Sequence, residues 1–207
     1  MKSKINYSLY LITDRDMLVD TDIYAAVEDS IKGGATLVQL REKDISTLEF
    51  HNIASKIKII TDKYKVPLII NDRIDIALSV DAAGVHLGQS DMPASIARGI
   101  IGNDKIIGIS TSTLGEARMA EKEGADYVGV GAMFPTTTKD DASAVSVFTL
   151  KEIKDNISIP VVAIGGITQK NVNLLKEANI DGVAIISDIL AKKCIKQATE
   201  KLVAAMK

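Results

Sequence analysis

Short apolar runs alternate with longer amphipathic segments along the whole chain. Eight runs rich in Ile, Val and Leu occupy residues 9–13, 36–40, 67–71, 84–87, 105–110, 127–133, 160–165 and 182–187. Continuous apolar runs of this length are typical of strands that are buried on both faces, as in parallel sheets. The pattern therefore predicts eight parallel strands connected by helices.

The segments between the runs carry helix start signals. The predicted N-caps are Thr21 or Asp22, Ser46 or Thr47 with Glu49 completing a capping box, Thr113, and Thr168 or Gln169 for a helix that runs to Glu177. Eight strand–helix pairs in one unit predict a single-domain (β/α)8 TIM barrel over residues 1–207. A doubly wound open sheet is the alternative, but no G-x-G-x-x-G follows the first run.

Composition and charge narrow the class of protein. The chain has 207 residues, 46% of them hydrophobic, and a formal net charge of −2. This charge provides no general basic field, so we expect no nucleic-acid partner. No apolar run is long enough to span a bilayer, and the N-terminal residues do not resemble a signal peptide. Cys194 is the only cysteine, which excludes an internal disulfide, and we expect a cytoplasmic protein without membrane contact.

Polar residues interrupt the second apolar run in an alternating pattern. Gln39, Arg41 and Lys43 alternate with Val38 and Leu40. Since alternate residues of a strand share a face, the apolar pair should face the helices, and the polar residues should face the barrel axis or its mouth. Two cations and an amide on an inward face predict an anionic ligand.

Carboxylates follow the next two strands. Asp72 comes directly after Asn71 at the end of the third run, and Asp91 follows the fourth. Active sites of these barrels lie at the carboxyl ends of the strands, and one or two carboxylates with phosphate oxygens suit magnesium. The alternative is that Asp72 caps the next helix and Asp91 lies in an exposed turn.

Hydroxyls and glycines follow the later strands. The segment 131–139 ends in Thr136, Thr137, Thr138 and Lys139; Gly165 and Gly166 end the seventh run and Ser187 the eighth. Glycine-rich loops after strands seven and eight are typical of the barrel phosphate site, although two glycines also form tight turns. Ser110 ends the fifth run, and His86 is predicted to be a hydrogen-bonded histidine inside the barrel.

Taken in order, these blocks resemble the thiamine-phosphate synthase family. The matching segments are residues 10–14, 38–43, 71–73, 84–92, 108–110, 129–139, 163–168 and 185–187. The resemblance implies a transferase that joins 4-amino-5-hydroxymethyl-2-methylpyrimidine diphosphate to a thiazole phosphate, or to its carboxylated form, and releases diphosphate. It also implies small-molecule partners only, and it leaves a homo-oligomer open.

The resemblance assigns roles to the candidate residues. It implies one Mg²⁺ per subunit on Asp72 and Asp91, and catalytic roles for Arg41, Lys43, Ser110 and Lys139. The pyrimidine diphosphate would be bound by Gln39, Leu40, Arg41, Glu42, Lys43, Asn71, Ser110 and Lys139. The thiazole phosphate would be bound by Thr136, Thr137, Thr138, Gly166, Ile186 and Ser187.

Two positions depart from the family pattern. Ser112 stands where many relatives have histidine, and Ala132 follows Gly131 where Gly-Pro is expected. Neither change removes a proposed ligand. Two rival functions are a thiazole tautomerase of a sister barrel group and a non-catalytic barrel that senses a phosphate ligand. The retained basic and acidic residues argue against the tautomerase, which needs no magnesium-diphosphate site.

Overall fold

A computed structural model describes residues 5–136 and 144–206, and in this part of the chain eight parallel strands close into a barrel. The strands are β1 (Leu9–Ile12), β2 (Leu37–Leu40), β3 (Leu68–Asn71), β4 (Gly84–Leu87), β5 (Ile106–Thr111), β6 (Tyr127–Val130), β7 (Val161–Ile164) and β8 (Gly182–Ile185). Each pairs with its sequence neighbours, and β1 pairs with β8. The predicted (β/α)8 barrel is confirmed, and the open-sheet alternative is wrong.

Helices cover the outside of the barrel. They are α1 (Ile23–Lys32), α2 (Thr47–Lys63), α3 (Ile74–Ser79), α4 (Ala94–Ile101), α5 (Leu114–Lys122), α6 (Val147–Asn156), α7 (Ser187–Leu190) and α8 (Ile195–Met206). The described residues also form 3-10 helices at Arg15–Met17 and Val172–Ala178. None of the helices in the described ranges is long and apolar enough to cross a membrane.

The strands are buried on both faces because they separate two apolar layers. Outward residues such as Val38 and Leu40 pack with helix residues in the larger core cluster. Inward residues, among them Tyr10, Leu37 and Tyr127, form a smaller cluster that fills the barrel interior. The alternation predicted for the second strand is therefore the one observed, with Val38 and Leu40 facing the helices.

The helix caps follow the sequence signals in most cases. Asp22 caps α1, Ser46 caps α2, and Thr113 forms a full capping box with Glu116 at the start of α5. In each case a side-chain oxygen accepts a hydrogen bond from a backbone N–H of the first turn that would otherwise lack a partner.

One helix differs from the prediction. The segment after β7 begins at Val172 rather than at Thr168 or Gln169, and it is a 3-10 helix. The Asn171 side chain explains the delay, because its oxygen accepts from Thr168 N at 2.7 Å and its nitrogen donates to Gly166 O at 2.9 Å. These bonds fold residues 166–171 into a turn before the helix starts.

The barrel interior predicts a contrast between two glycines. A Cβ on Gly108 would lie 2.1 Å from the Tyr127 ring, whereas a Cβ on Gly99 in α4 would meet no atom within 4 Å. We expect Gly108→Ala to lower the free energy of unfolding by about 1–3 kcal/mol or more through overpacking. Gly99→Ala, the matched control, should raise it by about 0.5–1 kcal/mol, since alanine favours helix.

Urea denaturation of both variants measures the difference directly. Equal stability of wild type and Gly108→Ala would show that the Tyr127 ring can move, contrary to the tight packing described above.

Candidate active site

A cavity of about 580 Å³ opens at the carboxyl ends of the strands. This volume is typical of small-molecule sites. The predicted site residues in its wall are Gln39, Arg41, Lys43, Asn71, Asp72, Asp91, Ser110, Thr136, Gly166, Ile186 and Ser187. Thr137, Thr138 and Lys139 lie outside the described residues. The parallel barrel thus brings residues that are far apart in sequence to one mouth.

Strand β2 supplies the cationic side of the cavity. The backbone N–H of Arg41 donates to Thr13 Oγ1 at 2.9 Å, and the Arg41 guanidinium lies 3.2 Å from an Asp14 carboxylate oxygen. Both side chains of this ion pair are only 13% exposed. Asp14 therefore holds Arg41 at the mouth, and Lys43 lies further out and exposed.

Leu40 and Glu42 belong to the opposite face of this segment. Neither residue belongs to the cavity wall among the described residues. Leu40 packs in the outer core, and the Glu42 carboxylate pairs with Arg15 at 2.8 Å. Their roles in binding the pyrimidine diphosphate stay a prediction. Because both side chains point away from the cavity, only their backbone atoms could contact this ligand.

Glu42 is a buried carboxylate with an incomplete set of partners. Its side chain is 3% exposed, and within the described part of the chain Oε1 has no hydrogen-bond partner. Burial raises the pKa of Glu42 above its ordinary value, while the Arg15 charge works in the opposite direction.

The carboxylates of Asp72 and Asp91 also line the cavity. Asp72 is exposed in a left-handed backbone conformation, with φ 58°, just after β3. Asp91 accepts a hydrogen bond at 2.6 Å from Gly88 N, which fixes it against the loop after β4. No cluster of three or more acidic, His or Cys residues suited to a metal occurs in the described ranges. A pair of carboxylates fits Mg²⁺, which takes most of its ligands from water and phosphate.

The end of β5 and the loop after it add hydroxyl groups to the wall. Ser110 Oγ lies 2.9 Å from His86 Nε2, and Gln89 Nε2 donates to Ser110 O at 2.7 Å. His86 is 9% exposed and is hydrogen-bonded inside the barrel, as predicted. Ser112 is one of the two departures from the family pattern. The Glu116 carboxylate accepts hydrogen bonds from both Ser112 N and Ser112 Oγ.

The loops after β6 and β7 are joined by backbone hydrogen bonds. Met133 N donates to Ile164 O at 2.9 Å, and Phe134 N donates to Gly165 O at 3.0 Å. Gly166 has φ 61°, and a Cβ there would lie 2.6 Å from Pro135 O. The close approach requires glycine and places Thr136 in the cavity wall next to the Gly166 turn.

Gly129 in β6 and Gly131 directly after it have different surroundings. A Cβ on Gly129 would lie 3.2 Å from His86 Cε1, so Gly129 does leave space there. A Cβ on Gly131 would instead lie 2.1 Å from Ile164 O. The physical reason for Gly131 is therefore the close approach of the β7 backbone.

Three wall or neighbouring residues were not singled out in the sequence. Asp14 pairs with Arg41, Gln89 fixes the Ser110 carbonyl, and Glu116 holds Ser112. Asp14 follows β1 as Asp72 follows β3, so the same rule about strand ends could have found it. Glu116 carried only a capping signal, which does not distinguish a helix cap from a cavity wall.

The sequence and the fold are similar to those of known proteins. A family model described as thiamine monophosphate synthase matches residues 9–189. The thiamine-phosphate synthase of Clostridium tetani is 58% identical over 198 residues, covering 96% of this chain and 95% of that protein. That of Methanobrevibacter smithii is 53% identical, covering 99% and 98%. The structure of thiamine phosphate pyrophosphorylase from Pyrococcus furiosus superposes with a TM-score of 0.90 at 39% identity, covering 97% and 96%.

The burial of Glu42 generates a prediction about pH. A carboxyl group whose pKa is raised on folding favours the folded state below its unfolded value, and this advantage is lost as pH rises through the folded value. Since glutamine does not titrate, Glu42→Gln should gain stability relative to wild type as the pH rises above the ordinary value of 4.5.

Urea unfolding at a series of pH values measures this difference. Asp75→Asn serves as the opposite control, because its pairing with Arg73 lowers the pKa of Asp75 and its substitution should lose relative stability as pH rises. A Glu42→Gln difference that falls with pH would contradict the buried-carboxylate interpretation.

Proposed function

Because the chain belongs to the thiamine monophosphate synthase family, we propose that it joins a hydroxymethylpyrimidine diphosphate to a thiazole phosphate and releases diphosphate. The predicted family and enzyme class, thiamine-phosphate synthase and transferase, are confirmed by relatives that match nearly the full length. The proposal treats residues 1–207 as one catalytic domain.

One observation carries the proposal: a single cavity combines a cationic wall, the carboxylates of Asp72 and Asp91, and two loops with hydroxyls and glycines. Arg41 and Lys43 suit a diphosphate, and Asp72 with Asp91 suits its counter-ion. Across the cavity, Thr136, Gly166 and Ser187 suit a second, smaller phosphate. A barrel with one phosphate ligand would need only one of these regions.

The proposed chemistry follows from where charge develops. The bond between the pyrimidine methylene carbon and the diphosphate oxygen breaks, and its electron pair leaves with the diphosphate. Arg41 and Lys43 stabilise the growing negative charge on that group, and Lys139 does so by family resemblance. The electron-rich aminopyrimidine stabilises the methylene cation. The lone pair of the thiazole nitrogen then forms the new C–N bond, so no enzyme nucleophile is required.

The remaining residues position the substrates. Asn71 and Ser110 line the cavity, and by the same resemblance they contact the pyrimidine diphosphate. Thr136, Gly166, Ile186 and Ser187 bind the thiazole phosphate, with Thr137 and Thr138 assigned by resemblance. When bound, magnesium supplies positive charge that neutralises diphosphate oxygens, and Asp72 and Asp91 would hold it. Holding two reactants in one cavity supplies much of the remaining rate enhancement.

The assay that tests this proposal mixes protein, magnesium and both substrates and measures thiamine phosphate and diphosphate. We expect the two products to form in equal amounts. Isomerisation of the thiazole without coupling would instead support the tautomerase alternative. Binding of a phosphate ligand without any turnover would support a sensor.

The carboxylates provide a sharper prediction. Asp91→Asn keeps an oxygen that can accept from Gly88 N, and Asp72→Asn suits the left-handed backbone, so both variants remove charge while conserving local structure. We expect each variant to lower kcat/KM by about 100-fold or more at the magnesium concentration that saturates wild type. The reason is that a bound metal stabilises such a transition state by several kcal/mol. The apparent KM for magnesium should rise.

Asp81→Asn is the matched control. Asp81 also has a left-handed backbone, with φ 51°, but its carboxylate is exposed and pairs with Lys105 outside the cavity wall described here. Its activity should equal that of wild type. If Asp72→Asn had the same magnesium dependence as wild type, Asp72 would not be a ligand of the metal.

A further inference from the structure

A chain of hydrogen bonds crosses the barrel interior beneath the cavity. Gln39 Nε2 donates to the Tyr10 hydroxyl at 2.7 Å, and the Tyr10 and Tyr127 hydroxyls are 2.9 Å apart. The Tyr127 hydroxyl lies 2.9 Å from His86 Nδ1, and His86 Nε2 lies 2.9 Å from Ser110 Oγ. The five residues come from five different strands, and the first four are at most 9% exposed.

Two glycines make room for this chain. A Cβ on Gly108 would overlap the Tyr127 ring, and a Cβ on Gly129 would press on His86. The rings of Tyr10 and Tyr127 meet edge to face, with centroids 6.0 Å apart. The tyrosines are therefore fixed by packing, and their hydroxyls cannot turn away from one another without disrupting the core.

Both tyrosines keep their protons at any working pH. Burial is the largest cause that raises the pKa of the Tyr10 and Tyr127 hydroxyls well above the ordinary value. Each hydroxyl thus has one proton to donate. Within residues 5–136 and 144–206, Tyr10 bonds only Gln39 and Tyr127, and Tyr127 bonds only Tyr10 and His86.

These limits determine the direction of every bond. The Gln39 amide nitrogen can only donate, so the Tyr10 oxygen accepts and the Tyr10 proton goes to Tyr127. The Tyr127 proton then goes to His86 Nδ1, which must be unprotonated. The neutral imidazole has its proton on Nε2 and donates it to Ser110 Oγ. The Ser110 proton remains available to a ligand, and Ser110 lines the cavity.

The opposite order leaves a buried donor without an acceptor. A proton on Nδ1 would point to the Tyr127 oxygen, and the Tyr127 proton would point to Tyr10. The Tyr10 proton would then face the Gln39 NH₂ group, and unsatisfied donors of this kind are costly in a protein interior.

We propose that Tyr10, Tyr127 and His86 are positioning residues that make the Ser110 hydroxyl a hydrogen-bond donor to the pyrimidine diphosphate. This inference rests on the proposed function for the identity of the ligand. Its structural part, the single Nε2–H tautomer of His86, does not. Tyr10, Tyr127 and His86 act through Ser110, and of these four residues Ser110 is the one that contacts the diphosphate.

The first test is the tautomer of His86 in the full-length protein without substrates. The chain has two histidines, so ¹⁵N-labelled His51→Gln gives one imidazole to observe by NMR, at a pH about two units above the ordinary histidine pKa. We expect the proton on Nε2. A proton on Nδ1, or on both nitrogens, would overturn the proposal, and no variant in the chain of bonds needs to fold for this measurement.

The second test compares two conservative variants in the same background. Tyr127→Phe removes the donor to Nδ1 and should give a mixture of tautomers. Tyr7→Phe is the control: its ring packs 4.9 Å from the Tyr127 ring, but in the described part of the molecule its hydroxyl is not a member of the chain. Tyr7→Phe should keep the Nε2–H form. An unchanged tautomer in Tyr127→Phe would show that the chain does not set it.

Kinetics connects the tautomer to substrate. We expect Tyr127→Phe to lower kcat/KM for the pyrimidine diphosphate by about tenfold, as for one lost hydrogen bond, with little effect on the KM for the thiazole phosphate. In a Ser110→Ala background the same substitution should have no further effect, since the group it positions is gone. Additive losses would overturn the route through Ser110.

The two proposals fail in different ways. Absence of thiamine phosphate in the coupling assay would reject the function and leave the NMR result standing. Product formation with a proton on Nδ1 would reject the chain of bonds and leave the function standing.

Discussion

The interior of a closed parallel barrel has to be filled, and this constraint shapes the rest of the molecule. Eight strands that all point the same way leave a lumen which side chains must occupy at the density of a core. Here two tyrosines fill much of it, and Gly108 provides the space that the Tyr127 ring needs. Aliphatic residues could fill the same volume, but they would provide no polar groups to connect the two sides of the mouth.

The choice of tyrosine has a consequence for polarity. A buried hydroxyl requires a partner, so each tyrosine that enters the lumen demands another polar residue beside it. The series of hydrogen-bonded partners ends where it reaches the cavity, at Ser110 on one side and at Gln39 on the other. The packing of the core and the arrangement of the cavity wall are therefore one problem, and a change in the lumen is felt at the mouth.

Much of this arrangement could be predicted from the sequence. Strand number, barrel closure and the inward face of Gln39 follow from apolar runs and their alternation, because a parallel strand buried on both faces tolerates polar residues only with a purpose. The family resemblance did not show that the Glu42 side chain points away from the cavity. A matching sequence segment includes the outward-facing residues together with the inward-facing ones. The late 3-10 start at Val172 depends on the two hydrogen bonds of Asn171, which propensity alone does not reveal.

Charge at the mouth is arranged locally in a chain whose net charge is small. Arg41 pairs with Asp14 rather than facing the cavity alone, and both are mostly buried. A partly buried arginine without a carboxylate would be costly to desolvate, whereas the pair holds the guanidinium in one orientation before any anion arrives. A diphosphate then meets a cation that is already positioned, and Asp14 shares that cation with it.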